Sequence, residues 1–248
     1  MKSDIHYFNF LGVQVAFPYE DPYPAQRAIM AKSIIAFTQS KNALLESPTG
    51  TGKSLALMAS ALAYQDHVKN ETDQTIKVFY LSRTHTQLHQ VAKEIKRLKY
   101  NPQLGILASR KYTCIFDDVK NSKNIEANCR TERRNCPYAK NGKEFPDEFK
   151  NRIYDYDEYM DYCINNMKCP YLTQKKMLNE AELILCPYNY IIDPSIREKM
   201  KLDIFGSIII IDEAHNIENV CRESMNTMIS LQKIKEVRNE IALATSMN

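Results

Sequence analysis

One stretch near the N-terminus constrains the fold of this chain more than any other. It reads Ser47-Pro48-Thr49-Gly50-Thr51-Gly52-Lys53-Ser54, and it lies between a strand-like run at 42–46 and a helix-like run at 55–59. A glycine-rich loop in this setting turns backbone N–H groups toward phosphate oxygens, and its lysine adds a positive charge for the β and γ phosphates. We therefore expect all eight residues to bind ATP and the Ser54 hydroxyl to ligate Mg²⁺.

A second stretch, Asp212-Glu213-Ala214-His215, follows four consecutive isoleucines. Such a run is typical of a strand buried on both faces, and a carboxylate at its C-terminal end reaches the crevice where α/β folds bind ligands. Asp212 is expected to hold Mg²⁺ through water, and Glu213 to orient and deprotonate the attacking water. The alternative, a chance glycine-rich turn with an acidic helix cap, leaves the pairing of the two motifs unexplained. Together they predict a nucleotide triphosphatase core with Lys53, Asp212 and Glu213 as catalytic residues.

The loop departs from the usual phosphate-binding pattern at its first position. That pattern begins with glycine, and here the position holds Ser47, followed by Pro48. Serine is small enough for a tight turn, and proline stiffens the start of the loop. Nucleotide binding is therefore still expected.

Size and composition limit the classes of protein. The chain has 248 residues, of which 44% are hydrophobic, enough for one large domain or two small ones. A formal net charge of +3 is too small to identify a nucleic-acid partner by itself. No signal peptide or membrane-spanning stretch is evident, so we expect no membrane partner. The seven cysteines argue against a disulfide framework and for metal ligation or buried thiols.

Strand-like and helix-like segments alternate along most of the chain, which predicts an α/β fold with a mostly parallel sheet. The expected elements are a hairpin over 7–17 turning near Leu11-Gly12, a helix from Pro24 to about Thr38, strands at 42–46, 77–82, 181–186 and 207–211, and helices at 53–65 and 85–99. Leu88, Val91, Ile95 and Leu98 mark the buried face of the last helix. A helical segment is also expected after Glu223, marked by Ile229, Ile234, Val237 and Ile241.

The alternation breaks between about 107 and 168, where the chain is rich in Asn, Lys, Asp, Tyr and Cys. A structureless loop of this length is improbable, so we expect an inserted module with its own means of support. It carries five of the seven cysteines: Cys114, Cys129, Cys136, Cys163 and Cys169. They lack the close Cys-x-x-Cys pairs of a zinc ribbon, and four thiolates on unequal loops can enclose a [4Fe–4S] cube. Spacing alone leaves iron–sulfur, zinc and inert thiols as equal alternatives.

Taken together, the motifs resemble those of the iron–sulfur superfamily 2 DNA helicases, the XPD-like family, and within it the Fanconi anaemia group J and telomere-length-regulating branch. The resemblance covers nearly the whole chain. The motifs that carry it are Phe17-Pro18-Tyr19, Pro22-Tyr23-Pro24-Ala25-Gln26, the phosphate loop from Leu45, Leu81-Ser82-Arg83-Thr84-His85-Thr86-Gln87, Ser109-Arg110-Lys111-Tyr112-Thr113-Cys114, Lys168-Cys169-Pro170-Tyr171, Cys186-Pro187-Tyr188-Asn189-Tyr190, and Asp212-Glu213-Ala214-His215-Asn216-Ile217-Glu218.

The resemblance implies a RecA-like phosphate-loop lobe interrupted by an iron–sulfur insertion. The lobe would occupy 1–106 and 171–225, the insertion 107–170, and the start of a helical arch 226–248. The implied [4Fe–4S] ligands are Cys114, Cys129, Cys136 and Cys169. Cys163 would be an extra thiol, with a ligand swap with one of the four as the alternative. Cys186 and Cys221 are expected to be core residues.

The resemblance also assigns roles outside the phosphate loop. Gln26 would read the adenine edge through its amide, the alternative being an ordinary polar helix residue. The implied DNA contacts are Arg83, Thr84, His85 and Arg110. For any one of these a solvated surface position is an equal alternative. His215 would couple the nucleotide site to the DNA path, with a hydrogen bond at a helix start as the alternative.

The implied activity is that of an ATP-dependent 5′→3′ DNA helicase acting in repair or genome maintenance in the nucleus. Its partners would be single-stranded DNA, DNA forks and repair proteins. Such a helicase needs a second RecA-like lobe, which the sequence up to Asn248 lacks, so we expect an N-terminal portion. The alternatives are a truncated ATP- and DNA-binding module without unwinding activity and, less favoured, a zinc-stabilised interaction domain.

Overall fold

A four-stranded parallel sheet forms the centre of the fold. The computed structural model describes residues 5–48, 50–139, 146–150, 152–226 and 231–246. The strands of this sheet are β3 (Val78–Ser82), β4 (Leu104–Ile106), β5 (Leu183–Pro187) and β6 (Ile208–Ile211), in the spatial order β4-β5-β3-β6. All neighbouring pairs are parallel, and Leu81 of β3 lies opposite Cys186 of β5 and Ile211 of β6. The expected α/β fold with a parallel sheet is confirmed.

A separate antiparallel hairpin precedes the sheet. Its strands are β1 (His6–Phe10) and β2 (Val13–Phe17). Leu11 and Gly12 form the turn with φ angles of 51° and 86°, the left-handed conformation that two-residue hairpin turns require. The predicted hairpin is therefore confirmed.

Three helices pack near the first strands of the parallel sheet: α1 (Pro24–Thr38), α2 (Lys53–Thr72) and α3 (His85–Ile95). Helix α1 has the predicted bounds, with proline at its first turn, where no N–H is needed. Helix α2 runs seven residues beyond the predicted end at 65, whereas α3 ends at Ile95 rather than 99. The predicted apolar face of α3 is buried in the core.

Short helices fill the segment between β4 and β5: α4 (Arg110–Thr113), α5 (Asp117–Lys120), α6 (Ile125–Thr131), α7 (Tyr156–Asn165) and α8 (Pro170–Met177). Two single 3₁₀ turns, Glu132–Arg134 and Asp147–Phe149, also lie here. The helices after β5 are α9 (Asn189–Ile192), α10 (Pro194–Met200), α11 (Ile217–Met225) and α12 (Leu231–Ser246). The helical tail expected after Glu223 is thus present as the end of α11 and α12, while Ile229 lies outside the described residues.

Two strand predictions were wrong. Residues 42–46 form no strand, and Leu44 is 92% exposed. The isoleucine run forms β6, but β6 is an edge strand of the described sheet, and Ile209 and Ile211 are 38% and 37% exposed. The errors have different physical causes. The short run at 42–46 has no partner strand among the described residues, which its own composition does not reveal, whereas the isoleucine run is equally compatible with a central strand and with a strand that has one neighbour.

The cysteine-rich segment contributes buried apolar residues to the main core. Phe149, Tyr154, Tyr159 and Cys163 are buried in the same hydrophobic cluster as the sheet and helices α1 to α3. The Tyr154 hydroxyl donates a 2.7 Å hydrogen bond to the backbone oxygen of Leu104 in β4. Burial raises the pKa of Tyr154 well above its usual value, so this hydroxyl remains a donor. Residues 146–150 and 152–165 are therefore anchored to the lobe by protein contacts.

Ion pairs reinforce this anchor. Lys96, just after α3, donates to Asp155 Oδ2 at 2.8 Å and to Glu158 Oε2 at 2.9 Å. Asp155 also caps α7, accepting from the backbone N–H of Glu158 at 3.0 Å. Because all three groups are partly exposed, the ion pairs add specificity of docking more than stability.

The two cysteines outside the cysteine-rich segment differ in burial. Cys186 is buried in β5, as expected of a core residue, whereas Cys221 lies in α11 and is only half-buried, so that prediction was wrong for Cys221. No helix of the described residues is long and apolar enough to cross a membrane.

The buried bond of Tyr154 predicts a stability effect. Tyr154→Phe leaves the Leu104 oxygen without its side-chain donor, so the free energy of unfolding should fall by about 1–3 kcal/mol in urea denaturation. Tyr7→Phe is the matched control, since the Tyr7 hydroxyl contacts the exposed Lys99 amine and its loss should cost less than about 0.5 kcal/mol. Equal effects of the two substitutions would contradict the anchoring role.

Candidate active site

The phosphate loop leads directly into helix α2. Gly50 and Gly52 have φ angles of 77° and 70°, a conformation that residues with a Cβ rarely adopt. A Cβ on Gly52 would also lie 2.3 Å from Nε2 of Gln26, so space as well as backbone requires glycine there. Gly52 is the N-cap of α2, and no side chain of the described residues caps this helix. The first N–H groups of α2 are therefore available to phosphate oxygens.

The polar side chains of the loop bond within the loop. Lys53 Nζ donates to the backbone oxygens of Ser47 at 2.8 Å and Pro48 at 3.2 Å. The hydroxyls of Ser47 and Thr51 are 2.8 Å apart, and Thr51 Oγ1 donates to the Pro48 oxygen at 2.9 Å. Ser47 thus gives the loop an internal hydrogen bond that glycine could not provide. Thr49, also predicted to bind nucleotide, lies outside the described residues.

Binding of a triphosphate requires the Lys53 ammonium group to exchange partners. Its two carbonyl oxygens are neutral acceptors, whereas phosphate oxygens carry charge and accept stronger hydrogen bonds. The lysine lies at the first position of α2, next to the free N–H groups. The loop is therefore built to receive an anion.

Gln26, predicted to read adenine, contacts the phosphate loop at Gly52. It is 3% exposed, its Oε1 accepts from the Tyr23 N–H at 3.0 Å, and its Nε2 is 3.5 Å from the Gly52 oxygen. In this arrangement the amide supports the start of α1 and touches the loop. Reading a base edge would require Gln26 to give up these contacts.

The two acidic residues occupy a tight turn after β6. Asp212 continues the pairing with β3, donating its N–H to the Leu81 oxygen at 3.0 Å. Glu213 has a φ of 49°, which is uncommon for a residue with a side chain. The Tyr188 hydroxyl donates to the backbone oxygens of Asp212 and Glu213, and burial together with these acids raises the pKa of Tyr188 to about 12. A tyrosine that follows β5, two strands away from β6 in the sheet, therefore holds the turn in place.

A buried hydroxyl lies beside the two residues expected to hold Mg²⁺. Tyr80 of β3 is fully buried, and its hydroxyl interacts with the Ser54 hydroxyl and the Asp212 carboxylate. Burial raises the pKa of Tyr80 well above its usual value; the nearby Asp212 carboxylate raises it further, and the Ser54 hydroxyl lowers it. An alcohol and a carboxylate near the same buried hydroxyl are oxygen donors of the kind that Mg²⁺ takes, directly or through its waters. Ser54 and Asp212 therefore fit the role of Mg²⁺ ligands.

Glu213 is held by a glutamine from α3. Gln87 Nε2 donates to Glu213 Oε2 at 2.9 Å, while Gln87 Oε1 accepts from the Ser82 hydroxyl at 2.7 Å and from the Thr84 N–H at 3.2 Å. Thr84 is the N-cap of α3, and its Oγ1 accepts from the Gln87 N–H at 3.2 Å. Gln87 thus bonds both to Thr84, a predicted DNA contact, and to Glu213, the predicted general base.

The predicted residues Arg83 and His215 meet at Asn216. Arg83 Nη1 donates to Asn216 Oδ1 at 3.1 Å, and Asn216 Nδ2 lies 3.0 Å from His215 Nε2. Asn216 Nδ2 also donates to the Glu213 oxygen at 3.2 Å. His215 is therefore linked to the end of β3 through a neighbouring amide.

Sequence reasoning missed four residues of this site: Tyr80, Gln87, Tyr188 and Asn216. Gln87 had a readable signal, because Thr84-x-x-Gln87 is a capping-box pattern. Tyr80 and Tyr188 carry no such signal, since their partners come from distant parts of the chain, and the bond of Asn216 to Arg83 likewise joins residues far apart in sequence.

The four predicted cluster ligands, Cys114, Cys129, Cys136 and Cys169, line one cavity of the segment between β4 and β5. Burial raises the pKa of Cys114 and of Cys169. Backbone hydrogen bonds oppose this shift, and the neighbouring cysteine thiols add to it. Across the part of the chain that the structure describes, no three His, Cys, Asp or Glu side chains are arranged to hold a single metal ion. The donor set and its shared cavity suit a group larger than one ion.

Cys163 lies apart from this cavity. Its side chain is buried beside Tyr159, and burial raises the pKa of Cys163 to about 12. Such a thiol stays protonated and behaves as a small apolar group.

Arg110, predicted to contact DNA, also lines the cysteine cavity. Its guanidinium lies 3.8 Å from the ring centroid of Tyr171, a cation–π contact. Its Nε is buried and unpaired among the described residues. In this arrangement Arg110 faces the cysteines.

Two histidines of α3 connect the lobe to the cysteine-rich segment. The His85 ring lies 4.2 Å from that of Tyr112, and the His89 ring is stacked on Tyr156 at 4.6 Å. The Tyr156 hydroxyl in turn donates to the Tyr112 oxygen at 2.7 Å. Burial lowers the pKa of both histidines; His85 is also lowered by His89, whereas Asp157 and Asp155 oppose the shift at His89 and Lys93 adds to it.

The fold and site define a family. Residues 80–234 match the DEAD_2 family model, and residues 23–134 match that of the DEAD/DEAH box helicases. The chain belongs to the DEAD_2 family. This assignment agrees with the resemblance read from the motifs.

Curated relatives and solved structures are similar to this chain over most of its length. It is 37% identical to the regulator of telomere elongation helicase 1 homolog of Caenorhabditis elegans, over 93% of this chain and 27% of that protein. It is 32% identical to regulator of telomere elongation helicase 1 of Mus musculus, over 86% of this chain and 21% of that protein. The chain thus spans about a quarter of the length of these relatives.

The solved structures share the fold. A structure described as XPD helicase gives a TM-score of 0.61 at 21% identity, covering 82% of this chain and 34% of that one. A truncated XPD gives 0.56 at 22% identity, covering 77% of this chain and 53% of that one.

The histidine contacts predict a pH dependence of stability. Because the pKa of His89 is lowered in the folded chain, the unfolded chain binds its proton at higher pH, near 6.5, so folding stability falls as pH drops below about 6.5. His89→Phe keeps a ring for Tyr156 and removes the titration. Urea unfolding at pH 7.5 and 5.5 should therefore show a smaller acid loss in the variant than in wild type. An unchanged loss would contradict the assignment.

Proposed function

We propose that this chain is the ATP-binding lobe of an ATP-dependent DNA helicase of the XPD-like iron–sulfur group. The observation that carries the proposal is that Ser54, the last residue of the phosphate loop, and Asp212, the first residue after β6, both lie near the buried hydroxyl of Tyr80 in β3. Membership of the DEAD_2 family supports it. The relatives are named as telomere elongation helicases, which supports an action on DNA, in genome maintenance and in the nucleus.

Hydrolysis would use groups already in position. The free N–H groups of α2 and the Lys53 amine would bind the β and γ phosphates, and Ser54 and Asp212 would hold Mg²⁺. When bound, Mg²⁺ neutralises charge on the phosphates. Glu213 would orient the attacking water and accept its proton, and a second lobe would supply the arginine that completes the transition-state charge balance.

Single-stranded DNA would cross the end of β3. Arg83 and Thr84 follow this strand directly, which is a position suited to backbone phosphates. His85 and Arg110 point into contacts with Tyr112 and Tyr171, so their predicted contact with DNA depends on the forked duplex reaching the cysteine-rich segment. The 5′→3′ direction and repair-protein partners rest on family resemblance.

A [4Fe–4S] cluster would be held by Cys114, Cys129, Cys136 and Cys169. Their common cavity supports this, and Arg110 at its wall would offset the negative charge of thiolate ligands. The cluster would stiffen the part of the segment that the lobe does not anchor. The segment 107–170 would then be an iron–sulfur insertion fixed to the lobe at its second half by Tyr154.

ATP turnover and unwinding test the function. In the full-length protein, Lys53→Ala should lower DNA-stimulated turnover by at least about a hundredfold and Glu213→Gln by about a hundredfold to ten-thousandfold, with unwinding lost in both. Glu218→Gln is the control, because among the described residues Glu218 forms an ion pair with the exposed Arg222, and its turnover should stay within about twofold of wild type. Turnover without unwinding in wild type would favour a non-unwinding module, and turnover that survives Lys53→Ala would refute the proposal.

Metal content tests the cluster. After oxygen-free purification, wild type should carry about four iron atoms and inorganic sulfides per chain, and Cys129→Ser should lose most of them. Cys163→Ala is the matched control and should keep its iron, since Cys163 is buried outside the cavity. Zinc in place of iron, or equal loss of iron from both variants, would contradict the ligand assignment.

A further inference from the structure

The side chain of Gln87 connects two parts of the site with different roles. On one side it accepts hydrogen bonds from the N–H and hydroxyl of Thr84, at 3.2 and 3.1 Å, and from Ser82. On the other it donates to Glu213 at 2.9 Å. We infer that Gln87 is a positioning residue that restrains Glu213 until a DNA phosphate binds at Thr84. This inference rests on the proposed ATP-dependent action on DNA.

The orientation of the Gln87 amide is fixed by its partners. An ionised carboxylate only accepts hydrogen bonds, so the NH₂ group must face Glu213 and the oxygen must face the donors at the end of β3. The amide therefore cannot flip to satisfy a different set of partners. A change in the partners of the amide oxygen therefore also affects the hydrogen bond from the NH₂ group to Glu213.

A DNA phosphate would compete with Gln87 for the same donors. The N–H and hydroxyl of Thr84 both bond to the amide oxygen of Gln87, which is a neutral acceptor. A phosphate oxygen is charged, and charge-assisted hydrogen bonds are roughly twice as strong as neutral ones. Phosphate binding at Thr84 would thus release the amide and, with it, the bond that holds Glu213.

Release of the Glu213 carboxylate from Gln87 would leave its side chain free to turn. Its backbone is already fixed by Tyr188 and Asn216, so the side chain is the movable part. A carboxylate bonded to Gln87 has one oxygen occupied and turned toward α3. Once released, Glu213 can turn toward the water that attacks the γ phosphate. The hydrogen bond from Gln87 to Glu213 would thus lower ATP turnover in the absence of DNA, and DNA binding would raise turnover by breaking this bond.

Two substitutions separate this role from a structural one. Gln87→Glu keeps the acceptor that caps α3, since glutamate serves equally in a capping box, but replaces the donor to Glu213 with a repelling carboxylate. Gln87→Met has similar length and removes both sets of hydrogen bonds. Gln90→Ala on the same helix is the control, because Gln90 bonds only to Glu94 on the surface.

The test is ATP turnover of the full-length protein with and without saturating single-stranded DNA. Gln87→Glu and Gln87→Met should both raise DNA-free turnover, by about fivefold or more, so that the DNA stimulation ratio falls, while Gln90→Ala keeps wild-type values. Loss of the α3 cap alone lowers turnover and does not raise it, so the direction of change identifies the restraint.

The outcomes distinguish this inference from the proposed function. Wild-type turnover that depends on Lys53, combined with unchanged or lower DNA-free turnover in both Gln87 variants, overturns the Gln87 inference alone. Wild-type protein with no turnover dependent on Lys53 overturns the proposed function and this inference with it. Raised DNA-free turnover in both variants supports the restraint.

Discussion

The parallel pairing of β3 with β6 determines the geometry of the site. Val78 lies opposite Ile208 and Leu81 opposite Ile211, so the two strands end at the same level. Parallel strands present their carboxyl ends at one edge of the sheet, where ligands bind in open α/β folds. Arg83 and Thr84 therefore emerge beside Asp212 and Glu213, although well over a hundred residues separate them in sequence. A shift in this register would separate Arg83 and Thr84, which we propose contact DNA, from Glu213, which we propose activates water.

The same edge explains why contacts at the site are made by residues from different strands. Tyr188 leaves β5 and bonds to the turn after β6, Tyr80 on β3 faces Ser54 and Asp212, and Gln87 reaches from α3 to Glu213. Each of these side chains spans two elements that the sheet holds in fixed relation. The lobe also contacts the cysteine-rich segment, through the hydrogen bond of Tyr154 and through the ring contacts of His85 and His89 in α3. The proposed nucleotide site and the cysteine-rich segment thus both contact one helix, α3.

Local patterns in the sequence were sufficient to predict the hairpin, α1 and the strands β3, β5 and β6, because each depends on near neighbours. The roles of the residues in both motifs stay predictions. The strand expected at 42–46 failed, since its apolar residues carry no information on whether a partner strand is present. The same ambiguity hid the exposed face of Ile209 and Ile211. In the cysteine-rich segment, spaced tyrosines gave no periodic signal, yet Tyr154 and Tyr159 reach the main core. Long-range partners such as Gln87 with Glu213 lie beyond what one sequence can indicate.

The central claim is that Ser54 and Asp212 together hold the cation of a bound triphosphate. It is tested most directly by calorimetric titration of the full-length protein with a non-hydrolysable ATP analogue, with and without Mg²⁺, in wild type and in Asp212→Asn. The account predicts that Mg²⁺ tightens binding to wild type by about tenfold or more, and that Asp212→Asn removes most of this gain. Binding to wild type that is indifferent to Mg²⁺, or a full Mg²⁺ gain in Asp212→Asn, would contradict it.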